Sequence, residues 1–540
     1  MRAPRIVAKT GGGAPYTRAV EEPTGRRLAW STAIFSLATG LSRILGLVRE
    51  MVAAYYFGAA GKINAFTIAF QLPNLVRALV ADAALSSAFV PVFSELLEHG
   101  DRKRAWRVAS SVFWLMLLGL GALTALFMLA APLLMRPFGP VDLDLSVTLS
   151  RILFPIVALL GISGVVVGIL NSYDHFSVPA LTPVAWNLAI IAGLAIGVPQ
   201  ANGEDAKLYV YAASILVGTV IQVLLPFPWL RGRDDRLRLA IDWRDPAVAR
   251  VFKLMLPVTL GLGLINVNAV IDTIFASRLL DPNLAPTAID KAFRVYMLPQ
   301  GMFSVAIATV LFPSLSRLAA RADLEGFRHT VALGLRQIAF LLLPASAVSL
   351  VLAEPIVRLL YQRGAFTPDQ TTVVAGAVAA FSAGLAFNGA MLLLTRAFFS
   401  LQSNWVPTAI AVGTLGLNVA FNLVFYRLGI WGIPLATSVV NVFGTAALLV
   451  MLRRRVGRIE LGDTARAVAR IAVASVVLAA VSFGVWWGLD DLLGRSVGGQ
   501  LVSLLAALTL GGAVYVAAAR ALGIREVEAL LSLRSRFRRG

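Results

Sequence analysis

Residues 110–135 read SSVFWLMLLGLGALTALFMLAAPLLM, a stretch without one charged side chain. As an α-helix rising 1.5 Å per residue it is about 39 Å long, enough to cross a hydrocarbon core roughly 30 Å thick. Its apolar positions are continuous, without the every-second-residue pattern of a barrel strand. Inside a bilayer the backbone has no water to bond, and a helix satisfies its N–H and C=O groups within the segment. The stretch therefore reads as a membrane helix. Residues 471–489, IAVASVVLAAVSFGVWWGL, read the same way.

Outward from these two, similar runs fill the chain. Its 540 residues are 58% hydrophobic and 14% charged, with a mean hydropathy of +0.78, whereas a soluble domain carries roughly 25% charged residues. Periodicity and length predict helices over 29–57, 62–97, 107–135, 147–171, 181–199, 208–230, 247–278, 286–318, 328–353, 370–401, 405–426, 431–452, 464–488 and 499–522. The expected fold class is an all-α polytopic membrane protein with about fourteen spans. Cysteine is absent, which excludes disulfides, thiolate metal sites and cysteine nucleophiles. His99, His175 and His329 do not lie at metal-ligand spacing. No GxxxxGK[ST], HExxH or GxSxG motif is present, so the corresponding ATPase, zinc-protease and serine-hydrolase chemistries are not expected.

The net charge of +19 reads as a topology signal rather than a nucleic-acid footprint. Arginine clusters fall in alternate connections: Arg102 and Arg104, Arg231 to Arg238, Arg317 to Arg328, and Arg453 to Arg458. The other connections hold isolated charges such as Lys62, Arg136, Lys207, Arg427 and Arg495. Cytoplasmic loops carry the excess of Lys and Arg, and an even helix count puts both termini on that side. Residues 1–28 read as a disordered basic extension with no signal-peptide cleavage pattern, and 523–540 as a basic cytoplasmic tail.

The chain also repeats. Leu72-Pro73 recurs as Leu298-Pro299, 226 residues on, and Val178-Pro179 as Val406-Pro407, 228 residues on. Six helices per unit keep the orientation, which is the parallel-repeat plan of transporters that rock two lobes about a central site. The expected parts are an N-lobe over 29–230, a C-lobe over 247–452 and an added helix pair over 464–522.

Charges inside apolar spans cost roughly 2.5–3.5 kcal/mol each at mid-bilayer on insertion scales and by default line a cavity. Arg43, Arg49 and Glu50 lie in the first span, Arg77 and Asp82 in the second, and Lys291 and Arg294 in the eighth. Guanidinium forks fit phosphate oxygens in pairs, so a cationic excess here points to an anionic, phosphorylated substrate. The competing account pairs Arg49 with Glu50 and Asp290 with Arg294 on their own helices. A second constellation, Asp272, Asn418, Asn422 and Thr437, offers only oxygen ligands, as a hard cation requires. Its competing account is hydrogen bonding between helices.

Three stretches carry a family resemblance. TGLSRILGLVREMVAAYYFGAAGKINAFTIAFQLPNLVRALVADAALSSAFVPVFSE at 39–95, NSYDHFSVPALTPVAWN at 171–187 and FRVYMLPQGMFSVAIATVLFPSLSR at 293–317 resemble the MurJ (MviN) lipid II flippases. The resemblance runs through the first twelve helices in order, with two weaker ones after them. It implies the multidrug/oligosaccharidyl-lipid/polysaccharide exporter fold, with the helices of 464–522 forming a groove for a lipid tail. The implied activity is transfer of lipid II, the undecaprenyl-pyrophosphate-linked peptidoglycan precursor, from the inner to the outer leaflet of the bacterial cytoplasmic membrane. The implied pyrophosphate set is Arg43, Arg49, Arg77 and Arg294, joined by Asp82 and by Asn74 of the LPNLVR motif. Asp82 is shorter than the family's usual Glu, Ala83 replaces the usual Gly, and Asn64 stands where many members have Asp. Asp272, Asn418 and Thr437 match a sodium site of some members, while Asn422 replaces an acidic ligand there. Na+ as coupling ion, or the membrane potential alone, is the expected drive. The expected partners are lipid II, membrane lipids and cell-wall synthesis proteins, with no nucleic acid. The alternatives are export of another polyprenyl-linked oligosaccharide and a non-transporting scaffold for cell-wall assembly.

Overall fold

The computed structural model describes residues 25–80, 83–139, 141–459 and 461–527. Most of the 1–28 extension, Asp82 and the tail beyond residue 527 lie outside the described residues. Nineteen α-helices and no strands occur among those described. The first half contains α1 (Gly25–Phe57), α2 (Ile63–Val80), α3 (Ala83–Glu98), α4 (Arg102–Met135), α5 (Leu143–Leu153), α6 (Pro155–Ser172), α7 (Ser177–Ala192) and α8 (Glu204–Leu224). The second contains α9 (Pro246–Leu279), α10 (Ala285–Pro299), α11 (Val305–Ala320), α12 (Leu324–Val351), α13 (Ala353–Tyr361), α14 (Pro368–Ser382), α15 (Leu385–Ser400), α16 (Trp405–Phe425) and α17 (Gly432–Val456). The added pair is α18 (Leu461–Leu493) and α19 (Val497–Ala521). Helices occupy each apolar stretch of the sequence. Ten helices among the described residues are long and apolar enough to span a bilayer, or eleven when the bent pair α14–α15 is taken as one span. The figure of fourteen rests on the sequence.

The helices pack in matching sets at the offset of the proline pairs. α1 lies on α7 as α9 lies on α16, α2 on α5 as α10 on α14, α4 on α6 as α12 on α15, and α7 on α8 as α16 on α17. Even the breaks correspond. α5 and α6 meet at Phe154, where Pro155 supplies no N–H, and α14 and α15 meet 229 residues on, at Ala383 and Gly384, with a bend of 44°. The carbonyls freed at the second break are taken by side chains. Ser438 Oγ donates to Ala380 (2.6 Å) and Phe381 (3.1 Å), and Ser346 Oγ to Ser382. A Cβ on Gly384 would come within 2.6 Å of the Ser438 backbone, so only glycine admits this crossing. After Pro299 the chain widens into a π-turn over Gln300–Ser304 before α11 begins.

At the end bearing the arginine-poor connections the two halves are sewn together. Ala365 N–H donates to the Tyr55 carbonyl (2.8 Å) and Ala59 N–H to Gln370 Oε1 (2.8 Å). Asn64, fully buried, donates through Nδ2 toward the carbonyls of Asn283 (2.5 Å), Gly61 (3.0 Å) and Ala59 (3.1 Å), and accepts from Thr287 N–H (2.9 Å). An amide does both; a carboxylate cannot donate. Asn64 therefore suits this seam where Asp would set a charge against three carbonyls. At the opposite end the connection between the halves is pinned to the first half, with Arg102 on Asp234 (2.5 Å), Arg104 on Asp245 (3.1 Å) and Arg250 on Glu95 (2.8 Å).

Gly58 tests the seam. Its φ is +65°, and a Cβ there would sit 2.6 Å from the Ala365 carbonyl and 2.8 Å from Gln370 Oε1. Gly58→Ala is expected to part the halves at this end. In this cysteine-free chain, a reporter cysteine at the buried Ala288 should then react several-fold faster with an impermeant maleimide. Unchanged labelling would show that the seam does not depend on this contact.

Candidate functional site

Between the halves, Glu50 of α1 gathers three cations. Its Oε1 lies 2.7 Å from Arg49 Nη2 and 3.1 Å from Arg294 Nη1, and its Oε2 lies 2.7 Å from Lys291 Nζ. Arg294 turns its Nε to Asp290 at 2.8 Å, one turn back along α10. The cluster thus joins α1 of the first half to α10 of the second. Glu50 and Lys291 are 7% and 6% exposed in their side chains, while Arg294 keeps 34% of its own open. Three cations against two carboxylates leave one positive charge, and its open face is on Arg294.

Local sequence explains the placement. Lys291 and Arg294 are three apart and Asp290 and Arg294 four apart, so α10 presents them on one face. Arg49 is held from a third side. Its Nη1 donates to Asn187 Oδ1 (3.2 Å), and its guanidinium lies 4.7 Å from the Trp186 ring, a stacking that guanidinium favours over ammonium. Asn187 is itself fixed by donating to the Pro183 (2.9 Å) and Ser42 (3.3 Å) carbonyls. Lys291 sits 5.5 Å from the ring of Tyr361 at the end of α13.

The remaining arginines stand differently. Arg43, about two turns along α1 from Glu50, is exposed and has no ion-pair or hydrogen-bond partner among the described residues. It reaches toward the second half, its guanidinium nitrogens about 4 Å from where a Cβ of Gly301 would stand in the π-turn. Arg77, in the last turn of α2, bonds Asn74 Oδ1 through Nη2 (2.8 Å) and Nε (3.2 Å). Asn74 thus orients Arg77.

Of the six residues expected to bind substrate, the structure joins Arg49 and Arg294 through one carboxylate and Arg77 to Asn74; Asp82 lies outside the described residues. The local pairings Arg49–Glu50 and Asp290–Arg294 both form. They form as parts of one network across the halves, which spacing along a helix does not reveal. Glu50, Lys291, Trp186, Asn187 and Tyr361 are members that the expected binding set lacked.

The four oxygen-bearing residues do come together. Asp272 on α9 accepts from Asn422 Nδ2 (2.7 Å), Thr437 Oγ1 (3.3 Å) and Asn268 Nδ2 (3.3 Å). Asn422 Nδ2 also reaches Asn418 Oδ1 (2.9 Å), and Asn418 Nδ2 reaches Thr437 (3.4 Å). Asn418 and Asn422 are fully buried, and Asn422 Oδ1 is buried with no hydrogen-bond partner. An orphaned acceptor beside a carboxylate suits a small hard cation. No group of three His, Cys, Asp or Glu fit to hold a metal ion occurs among the described residues.

Comparison with known proteins agrees with this architecture. The family model described as "Lipid II flippase MurJ" matches residues 53–506. The chain is 31% identical over 526 residues to the "Probable lipid II flippase MurJ" of Vibrio cholerae serotype O1, covering 94% of this chain and 98% of that one. It is 33% identical to the "Lipid II flippase MurJ" of Burkholderia cenocepacia, covering 77% and 82%. Among solved structures, "Lipid II flippase MurJ, inward closed conformation" superposes with a TM-score of 0.74 at 24% identity, covering 91% of this chain and 99% of that one. An inward-facing multidrug transporter of the MATE family, from the MOP superfamily, superposes with a TM-score of 0.64 at 16% identity, covering 78% and 94%. With the match spanning most of its length and relatives above 30% identity, the chain belongs to the lipid II flippase MurJ family.

Proposed function

We infer that this chain is a transporter rather than an enzyme, and that it moves lipid II from the inner to the outer leaflet of the bacterial cytoplasmic membrane by alternating access. The observation that carries the reading is the charge network between the halves, which ends in an open Arg294 and has nearby on α1 Arg43, without an ion-pair or hydrogen-bond partner among the described residues. A pyrophosphate is a polyanion that cannot cross hydrocarbon bare. Arg43, Arg77 and Arg294 would take up its charge between the lobes while the polyprenyl tail stays in lipid. With the arginine-poor end sewn shut, the described state is closed toward the outside, and both termini are cytoplasmic by the positive-inside rule.

Glu50 then has a switching role. It joins the lobes through Lys291 and Arg294, and a bound pyrophosphate competes with it for Arg294. Substrate would thereby loosen one tie between the lobes and permit rocking. The Asp272 cluster would hold a coupling cation: Asp272, Asn418, Asn422 and Thr437 supply oxygens, and Na+ fits their hardness. Asn422, a neutral amide, adds no negative charge to that site and leaves the membrane potential, about 2.3 kcal/mol per charge per 100 mV, as the competing drive.

The test is the accessibility of lipid II on each face of cells depleted of their own flippase and rescued by this chain. The outer-leaflet pool is expected to return on rescue, and to return more slowly when choline replaces sodium outside. Growth restored without return of that pool would favour a scaffold. Equal rates in the two media would assign the drive to the potential.

A further inference from the structure

The connection between the halves, residues 231–245, is not a free loop. Its extended part lies across α4 and is bonded to it at three points. Arg238 N–H donates to Ser110 Oγ (3.1 Å), Trp114 Nε1 donates to the Arg238 carbonyl (2.9 Å), and Asp242 N–H donates to Ser111 Oγ (3.0 Å). Both serines are buried. With the ion pairs Arg102–Asp234 and Arg104–Asp245 on either side, this strap is fixed to the first half and its level along α4 is set.

The strap turns three large apolar side chains outward. Leu239, Ile241 and Trp243 are 78%, 45% and 65% exposed. A single exposed apolar residue is ordinary, but three at every second position of an extended segment share one side and form a patch. Basic groups lie beside it. Arg236 and Arg238 of the strap, with Lys103 and Arg107 of α4, line a cavity of about 260 Å³ whose one carboxylate, Asp235, is paired with Arg238 at 3.0 Å. The Arg244 guanidinium lies 5.0 Å from the Trp243 ring.

Depth decides what the patch meets. Ser110 stands about 12 Å along α4 from Arg102 and three residues past Arg107, the last charged side chain of that helix. The uncharged run that crosses the hydrocarbon starts there. The strap therefore crosses α4 where headgroups give way to acyl chains. Aliphatic side chains with a Trp, flanked by arginines and lysine, match that boundary, where indole rings and basic groups collect.

We propose that residues 236–243 are an interfacial anchor: Leu239, Ile241 and Trp243 enter the headgroup–acyl boundary of the leaflet at the arginine-rich end, while Arg236, Arg238, Lys103 and Arg107 stand at its phosphates. The bilayer surface thereby holds the depth of Asp245, from which α9 and the second half begin. No residue of the interlobe network takes part, and the anchor does not depend on what the protein carries.

The experiment uses the full, cysteine-free chain in phosphatidylcholine liposomes, with one spin label at a time at Leu239→Cys, Trp243→Cys or the exposed Glu98→Cys, which serves as the aqueous reference at the same end. Labels at 239 and 243 are expected to collide with oxygen in preference to a water-soluble nickel chelate, and the label at 98 the reverse, with severalfold different ratios. Adding Leu239→Ser/Ile241→Ser should lift the label at 243 toward water and raise its nickel accessibility severalfold. Equal nickel accessibility at 98, 239 and 243 would overturn the anchor. So would labels that are wet in these liposomes and shielded only in native membranes, which would assign the patch to a protein partner. A label at 243 unmoved by the serine pair would show that the bonds to α4 alone set the depth, and would overturn it as well.

Discussion

Replacing Glu50 with alanine is expected to destabilise the protein more than any other single change in the interlobe site and to abolish transport. Removing one partner of a buried ion pair costs roughly 3–5 kcal/mol because the other charge is left uncompensated. Here one carboxylate serves Arg49, Lys291 and Arg294, and Lys291 is buried with its ammonium committed to Glu50. Asp290 is a second acid for Arg294, but its ion pair is with that residue, so it does not replace Glu50 for Lys291. The thermal midpoint should fall by about 3–4 °C. Glu50→Gln keeps the shape and one acceptor and should fall less. A double-mutant cycle gives the decisive comparison: Glu50→Ala with Lys291→Met removes one stranded cation and should recover part of the loss. A Glu50→Ala protein as stable as its parent, and still active, would show that the three cations are solvated and that the network is incidental.

How much of this was legible in the sequence depends on whether a feature is local. The spans are set by runs such as 110–135, and they appear as helices because apolar length and backbone self-satisfaction are properties of one segment. The repeat was legible for a similar reason, since Pro73 and Pro299 mark equivalent points of two units. Asn418 and Asn422, four apart on one helix, are found side by side with Asp272 and Thr437. The short helix α13 was not foreseen. It is nine residues with Pro355 near its start, too brief for a period to show between two long spans, and its Tyr361 is what covers Lys291. The joining role of Glu50 was hidden in another way. Spacing gives Arg49 as a neighbour, but Lys291 is 241 residues away, and only the packing of α1 near α10 brings it within bonding distance. Asn64 is the clearest case of a departure that structure explains. As a substitution for an acid it suggests a lost site; in place it is an amide bonding four backbone groups, two of its own turn and two across the seam.

Arg43→Ala is expected to separate function from stability in the opposite sense. No ion pair or hydrogen bond among the described residues is lost with its guanidinium, so the folded protein has little to lose, and the thermal midpoint should stay within what an exposed substitution produces, about ±0.5 kcal/mol. Transport has much to lose. A charge-assisted, bidentate guanidinium contact to a phosphate contributes roughly 1.5–3 kcal/mol, which corresponds to about a ten- to hundredfold drop in the rate of lipid II reaching the outer leaflet. Arg43→Lys retains the charge but not the planar fork and should fall between the two. Arg77→Ala should impair transport similarly but also free Asn74, whose Oδ1 now accepts two bonds from it. The pair of measurements, midpoint and leaflet-resolved rate, discriminates between roles. An arginine that only holds the lobes together lowers both, as Glu50→Ala does. An arginine kept unpaired for an arriving polyanion lowers the rate alone. Full transport by Arg43→Ala would remove that residue from the proposed pyrophosphate set and leave Arg77 and Arg294 to carry the reading.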